Sequence, residues 1–182
     1  MVEALSIAQK MFNQRLLAEH SMTHEEALQL WESLPSKQKL EDSLVQINQQ
    51  LKYIGLQIVG IRQNNVLHLC LICPTADDVT KGIGQYPIHA HNYTRLILSH
   101  LVEHGETKLT DLKNLRLELQ EGNLDLPKAE EVLHDLVEQK WLHECGNNKV
   151  DLAPRAYAEL SSLFTQEFGM EKEDLPQQIF YA

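Results

Sequence analysis

Cysteine is scarce: three residues in 182, an odd number that supplies no disulfide framework and fits a reducing compartment. Long hydrophobic runs are missing too. No stretch of about 18 apolar residues occurs, so no membrane span is expected. The opening MVEALSIAQKMFNQRLL is broken by Glu3, Lys10 and Arg15, which leaves no signal-peptide core and predicts an intracellular protein. Basic residues are in deficit, with 16 Lys+Arg against 26 Asp+Glu and a net charge of −10. Residues 1–91 carry 7 and 9, whereas residues 92–182 carry 9 and 17. Phosphate contacts need clustered Lys and Arg, so this balance disfavours unassisted binding to a polyanion. It points to protein partners or to a solvated surface.

Catalytic signatures are also lacking. There is no G-x-S-x-G elbow, no phosphate-cradling glycine loop ending in Lys-Ser/Thr and no dinucleotide fingerprint; Gly82-Ile-Gly84 is two glycines in a linker. An enzyme in its own right is not expected.

What the chain does contain is one unit twice. LEDSLVQINQQLKYIG (Leu40 to Gly55) leads into a hairpin pattern turning at Asn64 and Asn65. LPKAEEVLHDLVEQKW (Leu126 to Trp141) leads into a second, turning at Asn147 and Asn148, 83 residues on. Paired asparagines tolerate the left-handed backbone that a tight hairpin demands. With 43% hydrophobic and 23% charged residues, the composition is that of a globular protein.

Further helical patterns precede each unit. Residues 4–18 place Leu5, Ala8, Phe12 and Leu16 on one face, with Ala4, Ile7 and Met11 on an adjacent one. That stripe is broader than one small core needs, so the helix either packs wholly on its own domain or offers its excess to a partner. Thr23 and Glu26 form a capping box ahead of Ala27, Leu28, Leu30 and Trp31. The second half predicts a helix over 88–104, a short strand at 107–109, a short helix at 110–115 and a closing helix from Pro154 to Phe168. Pro127 and Pro154 suit first helical positions, where the missing N–H costs nothing.

Helices followed by a hairpin wing describe a winged helix. The expected fold is therefore mainly α with small β-hairpins (α+β), as two tandem winged-helix domains: 1–74 and 88–170, a linker at 75–87 and an acidic tail at 171–182.

Two metal motifs are tempting. Cys70 and Cys73 have half-site spacing with Cys145 as a third ligand, but residues three apart on a strand point to opposite faces. His100 and His104 stand four apart on a predicted helix, with His89 and His91 before it, yet the position after the first His is Leu101 rather than the Glu a zincin needs. No metal or cofactor is expected here.

A winged helix that reads DNA needs polar and basic residues on its third helix. Helix 40–54 offers Gln46, Asn48, Gln49, Gln50 and Lys52 against Glu41 and Asp42, with Arg62 on its wing. Helix 127–140 carries Glu130, Glu131, Asp135 and Glu138 against Lys128 and Lys140. Protein docking is favoured over DNA reading, and direct nucleic-acid binding is not expected; the alternative is a DNA-binding winged-helix transcription or repair factor. The candidate partner-binding residues are Leu5, Phe12 and Leu16.

AEEVLHDLVEQKWLHE (Ala129 to Glu144), followed by PRAYAELSSLFTQEF (Pro154 to Phe168), resembles the non-SMC element one subunit of the SMC five-six complex. THEEALQLW (Thr23 to Trp31) and INQQLKYIGLQI (Ile47 to Ile58) look like that family's first winged helix. The resemblance implies tandem winged helices followed by a RING-like zinc domain, a MAGE-type winged-helix partner and a kleisin partner. It also implies a nuclear role in DNA repair and recombination, with ubiquitin ligation supported by the RING. The sequence given stops at Ala182, about where the first zinc-ligating cysteine is expected, so zinc and ligase activity are not expected of these residues.

Overall fold

The computed structural model describes residues 4–74, 87–120 and 123–181. The chain divides into two compact units, residues 1–75 with 176–182, and residues 76–175. The linker expected at 75–87 lies, apart from Pro87, outside the described residues.

Unit 1 runs α1 (Ile7–Glu19), β1 (Ser21–Thr23), α2 (His24–Ser33), α3 (Leu40–Leu51), β2 (Gln57–Gln63) and β3 (Val66–Ile72). Each start has a local cause. Ser6 accepts from the Gln9 N–H while the Gln9 side chain returns to the Ser6 N–H, and Thr23 with Glu26 repeats this capping box for α2. Past α3 a single 3-10 turn ends at Gly55, whose φ of 72° is the left-handed cap that stops it. Asn64 and Asn65, at φ 50° and 63°, turn β2 into β3.

Unit 2 repeats the order: α4 (Ile88–His104), β4 (Thr107–Lys108), α5 (Leu109–Asn114), α6 (Leu126–Glu138), β5 (Leu142–Gly146), β6 (Lys149–Leu152) and α7 (Pro154–Gln166). Asn147 and Asn148, at φ 53° and 59°, make the second turn. In both units the short strand pairs antiparallel with the hairpin's second strand, β1 on β3 and β4 on β6. The α+β fold of paired winged helices is thus the observed one.

One expectation needs correcting. Within 171–182, expected to trail as an acidic tail, Lys172–Asp174 forms a 3-10 turn and Gln177–Phe180 forms β7. That strand pairs antiparallel with β2, from Val59↔Phe180 to Arg62↔Gln177, giving the order β1-β3-β2-β7. Unit 1 therefore has a four-stranded sheet, whereas that of unit 2 has three strands, β4-β6-β5.

The core of unit 1 joins Phe12 and Leu16 of α1 to Trp31, Leu44, Ile47, Ile58 and Leu69. In unit 2, Tyr93, Ile97, Val132, Leu136, Trp141 and Phe164 play the same part. Each such side chain contributes about 1.5–3 kcal/mol on burial.

Candidate interaction surfaces

Helix α1 is apolar on two adjacent faces, and the structure decides which one is spent internally. Ala8, Phe12 and Leu16 are fully buried, with the Phe12 ring edge-on to Trp31 at 5.7 Å between centroids. Leu5 is half-buried and packs on the same core. Of the three residues expected to meet a partner, Phe12 and Leu16 are therefore core residues with no accessible surface. The aromatic and its one-turn neighbour fill the space under α2, which leaves the second stripe outward. Ile7 is 72% exposed and Met11 47%, and Ala4 precedes them on the same line. Lys10 and Arg15 are exposed beside that stripe. Arg15 is paired with Glu19 at 2.8 Å, and the apolar strip of Ile7 and Met11 is what this helix leaves exposed.

The third helix of unit 1 does not present a reading face of five polar residues. Asn48 is buried: its Nδ2 donates to the carbonyls of Ile58 (2.9 Å) and Tyr181 (2.7 Å), and its Oδ1 accepts from the Ile58 N–H (2.7 Å). One side-chain amide thus satisfies three backbone groups at the helix-to-wing junction. Gln46 is also engaged, accepting from Gln9 Nε2 at 2.6 Å. Gln49 and Lys52 remain exposed on α3 and the turn after it. The role of Asn48 had a sequence signal, an amide among Leu44, Ile47 and Leu51 at core spacing.

On α6 the exposed side is acidic. Glu130 pairs with Lys113 (2.7 Å) and Glu131 with Lys128 (2.8 Å), while Glu138 stands exposed. Such half-compensated carboxylates repel a phosphate chain. At the end of α6, Lys140 adopts φ 61° and drops Trp141 into the core, where it is 1% exposed. Arg155 lies over the indole at 4.1 Å and donates to the Gln139 carbonyl at 2.5 Å. Its Nε also meets Glu159 at 2.8 Å, a pair whose side chains are only 12% and 4% exposed. Cation, ring and carboxylate together pin helix to wing.

Cys70 is buried within β3, Cys73 lies beyond that strand and Cys145 is on the other unit's hairpin. Burial, then the Asp151 and Glu106 carboxylates, push the Cys145 thiol pKa up, which favours the protonated thiol. His104 Nδ1 donates to the His100 carbonyl at 3.1 Å, with the two rings stacked at 4.3 Å. Among the described residues no three His, Cys, Asp or Glu side chains are grouped to hold a metal ion.

Comparison with known proteins agrees with this architecture. The family described as "Nse1 non-SMC component of SMC5-6 complex" matches residues 9–160. A solved chain from an "Nse1-Nse3-Nse4 complex" shares the fold with a TM-score of 0.76 at 19% identity, over 91% of this chain and 76% of that one. No curated protein matches.

Proposed function

Since the chain belongs to the family of the Nse1 non-SMC component of SMC5-6 complex, we propose that it is a non-catalytic interaction subunit of that assembly. In this reading it binds a MAGE-type winged-helix subunit and a kleisin subunit, and acts in DNA repair and recombination in the nucleus. The solved chain of the same fold comes from an "Nse1-Nse3-Nse4 complex", and in this reading Nse3 and Nse4 stand for the MAGE-type and kleisin-type partners. These residues are assigned no cofactor; support of ubiquitin ligation is assigned to the family's RING-like zinc domain.

The observation that carries the docking reading is the outward strip of α1. A helix that has already buried Ala8, Phe12 and Leu16 still shows water Ile7 and Met11 one turn apart. Exposed anchors of this type dominate interface energies when a partner pocket desolvates them. Titration of a MAGE-type partner against Ile7→Asp/Met11→Asp tests it. Affinity is expected to fall by about 30-fold or more, roughly 2 kcal/mol, with the circular dichroism spectrum unchanged. Undiminished affinity in the folded variant removes α1 from the interface.

A further inference from the structure

We propose that the groove holding β7 is a peptide-recognition site of unit 1, filled in cis by the chain's own Gln177–Tyr181 as a displaceable strand. The inference does not depend on the α1 reading and concerns a different surface.

Three observations define the groove. The outer edge of β2 supplies backbone groups to four consecutive residue pairs, ending at Val59↔Phe180. Beyond that ladder, Asn48 donates to the Tyr181 carbonyl while holding both backbone groups of Ile58, so one buried side chain reads the strand's main chain and ties it to the sheet. Gly60 makes the seat: a Cβ there would lie 3.1 Å from Ile179 Cβ and 3.2 Å from the Tyr181 hydroxyl. Next to it a cavity of about 450 Å³ is lined by Val45, Leu56, Gln57 and Tyr181 itself. The site thus selects an extended segment with an aliphatic side chain over Gly60 and, two residues later, an aromatic one. Main-chain bonds give affinity and alternate side chains give selectivity, as in strand addition generally.

The strand's own burial argues that it can leave. None of Gln177, Gln178, Ile179 and Phe180 is buried, and Phe180 is 60% exposed, whereas Ile58–Ile61 and Leu69–Ile72 are buried throughout. Strands with few buried side chains open at lower free energy than the core they flank.

The test uses the full chain carrying Ile179→Asp and Tyr181→Asp, which ejects β7, and a fluorescent peptide of residues 176–181. By anisotropy the variant is expected to bind the peptide about tenfold or more tighter than the unaltered chain, whose own strand competes. Changing the peptide's tyrosine to alanine should abolish binding. A folded variant that ignores the peptide, or equal binding by both chains, overturns the proposal. Should the variant unfold, hydrogen exchange on the unaltered chain decides: amides of 177–180 exchanging about tenfold or more faster than those of β2–β3 support a displaceable strand. Exchange of both sets together overturns it, as does a doubled mass in light scattering that traces β7 to a second copy.

Discussion

The two units follow one plan and close it by different means. In unit 2 the wing is locked by the helix that follows it at once, through Arg155, Trp141 and Glu159. In unit 1 the equivalent lock is a strand from the far end of the sequence, held by Asn48 across a separation of 133 residues. The third helices record the difference at matching places. Leu44, Ile47, Asn48 and Leu51 share the spacing of Ala129, Val132, Leu133 and Leu136, so amide stands where the other unit has leucine. A polar atom is tolerated in the one core because three backbone groups meet it, and would be orphaned in the other.

The local lock of unit 2 carries the largest expected effect. Trp141→Ala removes a buried indole and the surface under Arg155, and is expected to cost about 3–5 kcal/mol. Thermal unfolding with exchange at amides 129–164 should localise the loss to unit 2. Next, Arg155→Met removes the cation paired with the buried Glu159 carboxylate, at a cost of about 3 kcal/mol, and adding Glu159→Leu should recover part of it, as chemical denaturation will show. If the double variant is no better than the single one, the ion pair is not what pins the junction.

Smaller effects are expected at the third helices. Asn48→Leu is expected to cost about 2 kcal/mol, by leaving the Ile58 and Tyr181 backbone groups unpaired, and to speed exchange at 177–180. The reciprocal Leu133→Asn should destabilise unit 2 by a similar amount with no strand released. The least effect belongs to Glu106 on β4's approach. Its hydrogen bond from Lys149 (2.7 Å) holds its carboxyl below the usual range. A depressed folded pKa means a contribution present above the unfolded value and lost as pH falls through the folded one. An acid titration followed by NMR should therefore show that Glu106→Gln flattens the low-pH limb only slightly, since both groups face solvent.

Much of the fold was legible because it rests on local chemistry. Asn64-Asn65, Asn147-Asn148, Gly55 and the Thr23/Glu26 box each require a particular backbone within a few residues. Which face of α1 turns inward was not legible, because Ile7 and Met11 satisfy helical periodicity as well as Phe12 and Leu16 do. Only the shape of the pocket beside Trp31 distinguishes them. Strand β7 was hidden for another reason: four residues, two of them glutamine, show no alternation, and their partner is distant in sequence. The capping role of Ser6 could have been read from Gln9 three residues later. Arg155 could have been placed only once the indole beneath it was known.

The long-range closure of unit 1 sets the order of its maturation. As the ribosome delivers the polypeptide, β2 and β3 emerge early, but the residues that finish their sheet emerge only after the whole of unit 2. Until then the β2 edge is a bare ladder of amide and carbonyl groups, the kind of template on which nascent chains stick to one another. Its guardianship during synthesis must fall to chaperones or to an arriving subunit.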